Sequence, residues 1–277
     1  MIEDRKTIRT MVERVVKDVV RPAVYPRTTP LAVSAHHVRG EPITVVDAAT
    51  RQYEPFQVGG LWGGRWDTTW FRFEGAVPAE WAGADVVARI DIGGGGVGPS
   101  FTAEGQLWRL DGSDPVQGLH HLHRDHAITS HATGDETVEL YVEAAANPIP
   151  PFHSTEWPLL EADPDGAPLY ALTRAELAVV DREVEALWFD LRALLQLVDV
   201  VAEQPRNNQA FRALHDAIKA IDRTDVAGTA KTARAALEPA LARPATSSHT
   251  VTAVGHAHID TAWLWPVRET KRKVART

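Results

Sequence analysis

The spacing of apolar residues changes along this chain of 277 residues, and the changes constrain its fold. Residues 5–20 place apolar side chains at three- and four-residue intervals with charged residues opposite, which predicts an amphipathic helix. Residues 40–150 contain short alternating runs separated by glycine and proline, which predict β-strands. From Val184 to Leu241 the helical interval returns and predicts three helices. The order is a helix, an antiparallel sandwich and a helical segment.

The alternating region holds four clear strand candidates, at residues 70–74, 86–92, 105–110 and 137–143. Short strands at this spacing are typical of an antiparallel β-sandwich. The glycine run at 93–96 lacks the Lys-Ser/Thr of a phosphate loop, so we predict a turn there. Five histidines follow no helical or strand ladder, which predicts an exposed loop rather than a metal site; they are His120, His121, His123, His126 and His131.

Composition excludes several classes of function. A net charge of -8 and a pI near 5.8 argue against nucleic acid as a partner, because that role needs a concentrated positive surface. No cysteine is present, so a metal would rely on His, Asp or Glu. No apolar run approaches the roughly 20 residues of a membrane span, and the first residues carry no apolar signal core. We expect a cytoplasmic protein that does not enter membranes.

The richest concentration of chemistry lies at residues 255–265, after an alternating run at 250–254 that predicts a strand. On a strand, residues i and i+2 face the same side, roughly 6.6 Å apart. His256, His258 and Asp260 can therefore share a face, and imidazole and carboxylate can reach one metal ion. Pro266 suits the first turn of a helix. We predict that the basic residues of this helix form a solvated face; they are Arg268, Lys271, Arg272, Lys273 and Arg276.

Residues 255–273, with the sequence GHAHIDTAWLWPVRETKRK, closely resemble the start of the catalytic domain of glycoside hydrolase family 38, the zinc-dependent α-mannosidases. The segment at 66–72, with Val77-Pro78 and Trp81-Ala82-Gly83, resembles the jelly-roll sandwich attached to many glycoside hydrolases. The resemblance implies His258 and Asp260 as zinc ligands and Trp263 in the mannose subsite. His256 also falls on the family pattern, and we expect it to support a ligand rather than to bind the metal itself. It also implies that the first strand and helix start of a β/α barrel occupy 249–277.

The resemblance implies a retaining mechanism with two carboxylates acting on terminal α-mannosides of glycans or oligosaccharides. The family's nucleophile, its remaining His ligand and its acid/base lie downstream of this motif. We therefore expect no catalytic residue in this chain and no turnover by the isolated chain. We divide the multi-domain α+β chain into a helix and lead-in at 1–39, a jelly-roll-like sandwich at 40–155, a strand plus helices at 156–248, and an incomplete barrel at 249–277.

Two alternatives remain open at this stage. His-x-His at a strand end also occurs in amidohydrolases, a different class of metal hydrolase. Residues 1–248 alternatively act as a carbohydrate-binding or assembly module without catalysis, and a homo-oligomer is possible. The Trp-Leu-Trp continuation and the upstream sandwich favour the mannosidase hypothesis over the amidohydrolase.

Overall fold

A computed structural model of the chain describes residues 5–94, 102–109, 116–148, 167–201, 205–242, 250–263 and 265–276. The chain divides into two units, Met1–Thr28 with Val179–Ala253, and Thr29–Ala178 with Val254–Thr277. The α-helices are α1 (Arg5–Val15), α2 (Arg21–Ala23), α3 (Val45–Ala49), α4 (Arg182–Val200), α5 (Pro205–Ala220), α6 (Val226–Leu241) and α7 (Val267–Arg276). A π-helical turn, Val16–Val20, joins α1 to α2.

The first unit is helical, and α4 forms its centre by packing against both α5 and α6. Asp181 caps α4 by accepting hydrogen bonds from the backbone of Glu183 and Val184. The residues that α4 buries follow the helical interval; they are Val184, Leu187, Leu191, Leu194 and Val198. These helices confirm the prediction of an N-terminal helix and a later three-helix segment.

The second unit is built of strands. They are β1 (Arg27–Pro30), β2 (Ala32–Val38), β3 (Glu54–Phe56), β4 (Leu61–Trp62), β5 (Thr68–Ala76), β6 (Val86–Asp91), β7 (Glu104–Trp108), β8 (Gln117–Leu119), β9 (Asp125–Thr129), β10 (Thr137–Ala145), β11 (Tyr170–Ala171) and β12 (Arg174–Val179). A four-stranded sheet has the order β1-β12-β6-β9, and a six-stranded sheet has the order β3-β2-β5-β10-β7-β8. The β5–β10, β7–β10, β2–β5 and β6–β9 pairs are antiparallel, as the alternating pattern predicts.

The core of this unit is aromatic. Trp62, Phe71 and Phe73 are fully buried, and Trp62 donates its indole N–H to the Ile92 carbonyl at 2.9 Å. Phe71 packs edge-on against Trp62, with ring centroids 5.5 Å apart. Trp62 therefore acts as a core residue whose one polar group is bonded to the backbone.

The predicted barrel strand is absent from the described residues, because 250–260 form no strand. Val251 and Val254 are 89% and 79% exposed, and a strand exists only where a neighbour completes its hydrogen-bond ladder. The prediction of a helix after Pro266 is confirmed by α7, which packs against β7 and β8. Gly118 on β8 permits this contact, since a Cβ there would lie 2.9 Å from the Arg276 carbonyl oxygen.

Candidate metal-binding site

The candidate ligands His258 and Asp260 lie next to each other ahead of α7. Their Nε2 and Oδ1 atoms are 3.3 Å apart, and their side chains are 79% and 42% exposed. An imidazole nitrogen and a carboxylate oxygen are both donors that zinc accepts. The pair therefore fits part of a zinc site, although such a site takes three or four protein ligands. Among the described residues no group of three or more His, Cys, Asp or Glu side chains is arranged to hold a metal.

The other two candidate residues occupy different surroundings. His256 is exposed, and within the described part of the chain it makes no hydrogen bond to His258 or Asp260. Trp263 is 51% exposed, so about half of its surface is accessible to solvent. Its ring stands edge-on to the buried Trp265, with centroids 5.7 Å apart. The structure thus brings the two candidate ligands together, whereas within the described residues His256 completes no three-ligand group with them.

One hydroxyl organises the turn that carries Asp260 and Trp263. Thr270 Oγ1 on α7 accepts hydrogen bonds from the Ala262 backbone N–H and the Trp265 indole N–H, both at 3.0 Å. The same hydroxyl donates to the Asp260 carbonyl at 3.3 Å. Ala262 has φ 57, a left-handed conformation that costs energy in a residue with a Cβ. The turn therefore depends on α7 for its shape.

A buried ionic network joins α7 to strands β7 and β10. Glu104 on β7 pairs with Lys273 at 2.8 Å and with Arg276 at 2.7 Å, and Glu143 on β10 pairs with Arg272 at 3.3 Å. Glu269, fully buried within α7, pairs with Arg272 and Arg276. Three acids thus face three bases, and the relative exposure of their side chains runs from 0% to 10%.

Burial and charge act against each other in this network. Burial opposes ionisation of Glu269, but Arg276 and Arg272 outweigh it and hold its pKa below the ordinary value. Burial prevails at Glu143 and raises its pKa, although Arg272 attracts the charged form. Burial likewise lowers the pKa of Lys273, against the attraction of Glu104. Glu269 is therefore the acid whose charge the network stabilises most clearly.

The prediction that the basic residues of α7 form a solvated face is wrong for Arg272, Lys273 and Arg276. All three turn toward the sandwich, whereas Val267 and Val274 are 54% and 60% exposed. The sequence did contain a signal, because Glu269, Arg272, Lys273 and Arg276 recur at helical spacing on one face. The residues that pair with this face, Glu104 and Glu143, lie in strands far from α7 in the sequence.

The histidine-rich segment is a turn between β8 and β9, where His120 and His123 exchange backbone hydrogen bonds at 3.1 and 2.8 Å. The loop prediction holds for exposed His123 and fails for His126, which is 5% exposed on β9. His126 Nδ1 contacts Gln117 Oε1 at 2.9 Å, and burial lowers the pKa of His126 to about 4. This imidazole is a neutral core residue at neutral pH.

Comparison with known proteins identifies the class. A family model described as "Alpha-mannosidase, jelly roll domain" matches residues 29–178, and one described as "Glycosyl hydrolases family 38 N-terminal domain" matches residues 248–277. The chain therefore belongs to the α-mannosidases of glycoside hydrolase family 38, which confirms the resemblance and the jelly roll. The first match also contains Glu104 and Glu143, which pair with basic residues of α7.

Individual relatives agree with the family. The chain is 34% identical to human alpha-mannosidase 2C1 over 288 residues, which cover 97% of this chain and 26% of that protein. It is 35% identical to mouse alpha-mannosidase 2C1, covering 83% of this chain and 21% of the relative. Alpha-mannosidase G of Dictyostelium discoideum is 28% identical, covering 86% and 21%. The chain thus spans about a quarter or less of the length of these relatives.

The family assignment removes the support for an amidohydrolase. It does not assign roles to His256, His258, Asp260 or Trp263, which remain predictions. Across the described residues, none of the helices has both the length and the apolar character that crossing a bilayer requires.

Proposed function

We propose that this chain is the N-terminal part of a zinc-dependent, retaining α-mannosidase that removes terminal α-mannosides from glycans or oligosaccharides. The observation that carries the proposal is the 3.3 Å approach of His258 Nε2 to Asp260 Oδ1, inside the segment that matches the family's N-terminal domain. Trp263, half exposed three residues later, supplies an aromatic face of the kind that packs on sugar C–H groups.

Each residue has a distinct task in this proposal. His258 offers an imidazole nitrogen and Asp260 a carboxylate oxygen to the metal, and Trp263 packs against the mannose ring. A zinc ion held by His258 and Asp260 together with ligands from elsewhere would supply Lewis-acid chemistry to the sugar. In this proposal the nucleophile and the acid/base come from outside residues 1–277, so no turnover is expected from these residues alone. The proposed first barrel strand at 250–254 would form against strands from the same outside region.

The test measures zinc content and hydrolysis of an aryl α-mannoside by the full-length protein, with His258→Ala and Asp260→Ala as variants. Both variants should lose zinc and nearly all turnover, while an exposed control, His256→Ala, should lose less because His256 contacts neither ligand. Full activity in Asp260→Ala would refute the site. A cytoplasmic location and a homo-oligomeric state belong to the same proposal and are checked by cell fractionation and light scattering.

A carbohydrate-binding role for the sandwich has one observation in its favour. A cavity of about 230 Å³ on this unit is lined by His37, Arg39 and Asp67, side chains able to bond sugar hydroxyls. Titration of mannose into the chain, with Asp67→Asn as the matched variant, tests this role. Saturable binding that Asp67→Asn weakens would support it, and equal or absent binding in both would reject it.

A further inference from the structure

One side chain of α7, Thr270, hydrogen-bonds to three groups of the turn that carries Asp260. Thr270 Oγ1 lies within 3.0 Å of two donors, Ala262 N and Trp265 Nε1, and within 3.3 Å of the Asp260 carbonyl oxygen. A hydroxyl has one donor and two acceptor positions, so Thr270 is fully used. Any movement of α7 is therefore transmitted directly to the backbone of the candidate metal ligand.

The position of α7 is in turn fixed by the jelly roll. Glu104 and Glu143 stand on the adjacent strands β7 and β10, which pair through Ala145 and Glu104 at one end. Glu104 accepts from Lys273 at 2.8 Å, and Arg272 donates to Thr68 Oγ1 on β5 at 2.6 Å. Three neighbouring strands of the six-stranded sheet thus hold one helix face. Charge pairs in so dry a contact are directional and admit few alternative arrangements.

The same network also reaches the candidate sugar-binding ring. Lys273, paired with Glu104, has its ammonium 4.6 Å from the centroid of Trp265, close enough for a cation–π contact. Trp265 in turn holds Trp263 edge-on at 5.7 Å. Two chains of contact, one through Thr270 and one through Lys273, therefore run from the sandwich to the metal-binding turn.

We propose that Thr270 and Glu104 are positioning residues of the metal site, through which the jelly roll sets the orientation of Asp260 and Trp263. This inference rests on the proposed function, since it assigns a task to residues around its candidate ligands. It gives the sandwich a mechanical role in catalysis that does not require sugar binding. Neither Thr270 nor Glu104 contacts the metal or the sugar in this proposal.

The first test follows the turn itself. Thr270→Val preserves the shape of the side chain and removes the hydroxyl, and Thr270→Ser preserves the hydroxyl. Hydrogen exchange of the backbone amides at 260–265, measured on the 277-residue chain, should be about tenfold or more faster in Thr270→Val. Thr270→Ser should exchange nearly as the unaltered chain does. Equal exchange in all three proteins would overturn the proposal.

The second test measures zinc affinity by chelator competition in the full-length protein. Loss of a group that orients a ligand typically weakens metal binding by about 10- to 100-fold, so this is expected for Thr270→Val and for Glu104→Gln. Thr270→Ser should restore affinity. Glu139→Gln is the control, because Glu139 pairs with Arg72 on the exposed part of the same sheet. Hydrogen exchange of β5 and β10 shows whether Glu104→Gln leaves the sandwich folded.

The two proposals fail in different ways. If the unaltered protein binds zinc and Thr270→Val binds it equally well, the positioning role is overturned and the proposed function stands. If the unaltered protein neither binds zinc nor hydrolyses an α-mannoside, the proposed function itself fails. A fall in kcat and zinc affinity together, rescued by Thr270→Ser, supports the positioning role.

Discussion

Helices α4 and α7 solve the same packing problem in opposite ways. α4 buries Leu187, Leu191 and Leu194 and keeps its charged residues at the surface. α7 buries Glu269, Arg272 and Lys273 and leaves Val267 and Val274 exposed. Apolar contacts permit many nearly equal arrangements, whereas paired charges permit few, because an unpaired buried charge is very costly. A helix that must hold a site in one orientation gains from the second arrangement.

The largest expected loss of stability comes from removing one charge of the buried network on α7. Glu269→Gln removes the charge that faces Arg272 and Arg276 and leaves two guanidinium groups without full compensation. Removing one partner of a buried pair costs about 3–5 kcal/mol. Hydrogen exchange of the α7 amides should show this loss, with α4 amides as the internal reference. An α7 that stays as protected as before would mean that the network contributes little to docking.

The comparison also shows what a sequence can and cannot predict. The spacing of Val184, Leu187 and Leu191 predicts α4 and its buried face, because burial of an apolar stripe is favourable whatever apolar surface it packs against. The spacing of Glu269, Arg272 and Lys273 predicts the helix equally well but the wrong environment. Burial of charge depends on partners in distant strands, and nothing near α7 in the chain reveals Glu104 or Glu143.

The same distinction applies to the candidate site. The order of residues is enough to predict His258, Asp260 and Trp263, because their chemistry is local to one short segment. Thr270 was missed, since a threonine in a helix carries no distinctive signal until its three bonding partners are known. The predicted strand at 250–254 is not formed within the described residues for a related reason, because its pairing partners are not a property of the segment itself.

The next effect concerns the apolar helix. Leu191→Ala removes a fully buried side chain from α4 and leaves a cavity, at a cost of about 3 kcal/mol. The loss should appear in urea unfolding monitored by circular dichroism, while exchange of the α7 amides stays unchanged. Leu191→Met is the matched control, since it keeps most of the volume and should cost less than about 1.5 kcal/mol. Faster exchange in α7 would show that the two helices are not independently stabilised.

Low pH should change the effects of substitutions in α4 and α7 differently. Because Glu269 has its pKa below the ordinary value of 4.5, its ionised form stabilises the folded state at higher pH. That stabilisation is lost as the pH falls from 4.5 through the folded-state pKa. The penalty of Glu269→Gln should therefore shrink as the pH falls below 4.5. The penalty of Leu191→Ala should hardly change, and a parallel decline of both would exclude Glu269 as the cause.

The smallest effect tests whether charge pairing stabilises only where water is excluded. Asp199 pairs with Arg9 of α1, and both side chains are about 40% exposed, at 39% and 41%. Asp199→Asn should cost less than about 1 kcal/mol, because solvent screens such pairs and ordering the side chains opposes them. In 1 M salt, where the screening length falls to about 3 Å, this cost should disappear.

The cost of Glu269→Gln should persist in the same salt, because its partners lie away from solvent. Urea unfolding of both variants at low and high salt makes the measurement. If the two costs fell together, the α7 network would be accessible to water and could not fix the orientation of the helix.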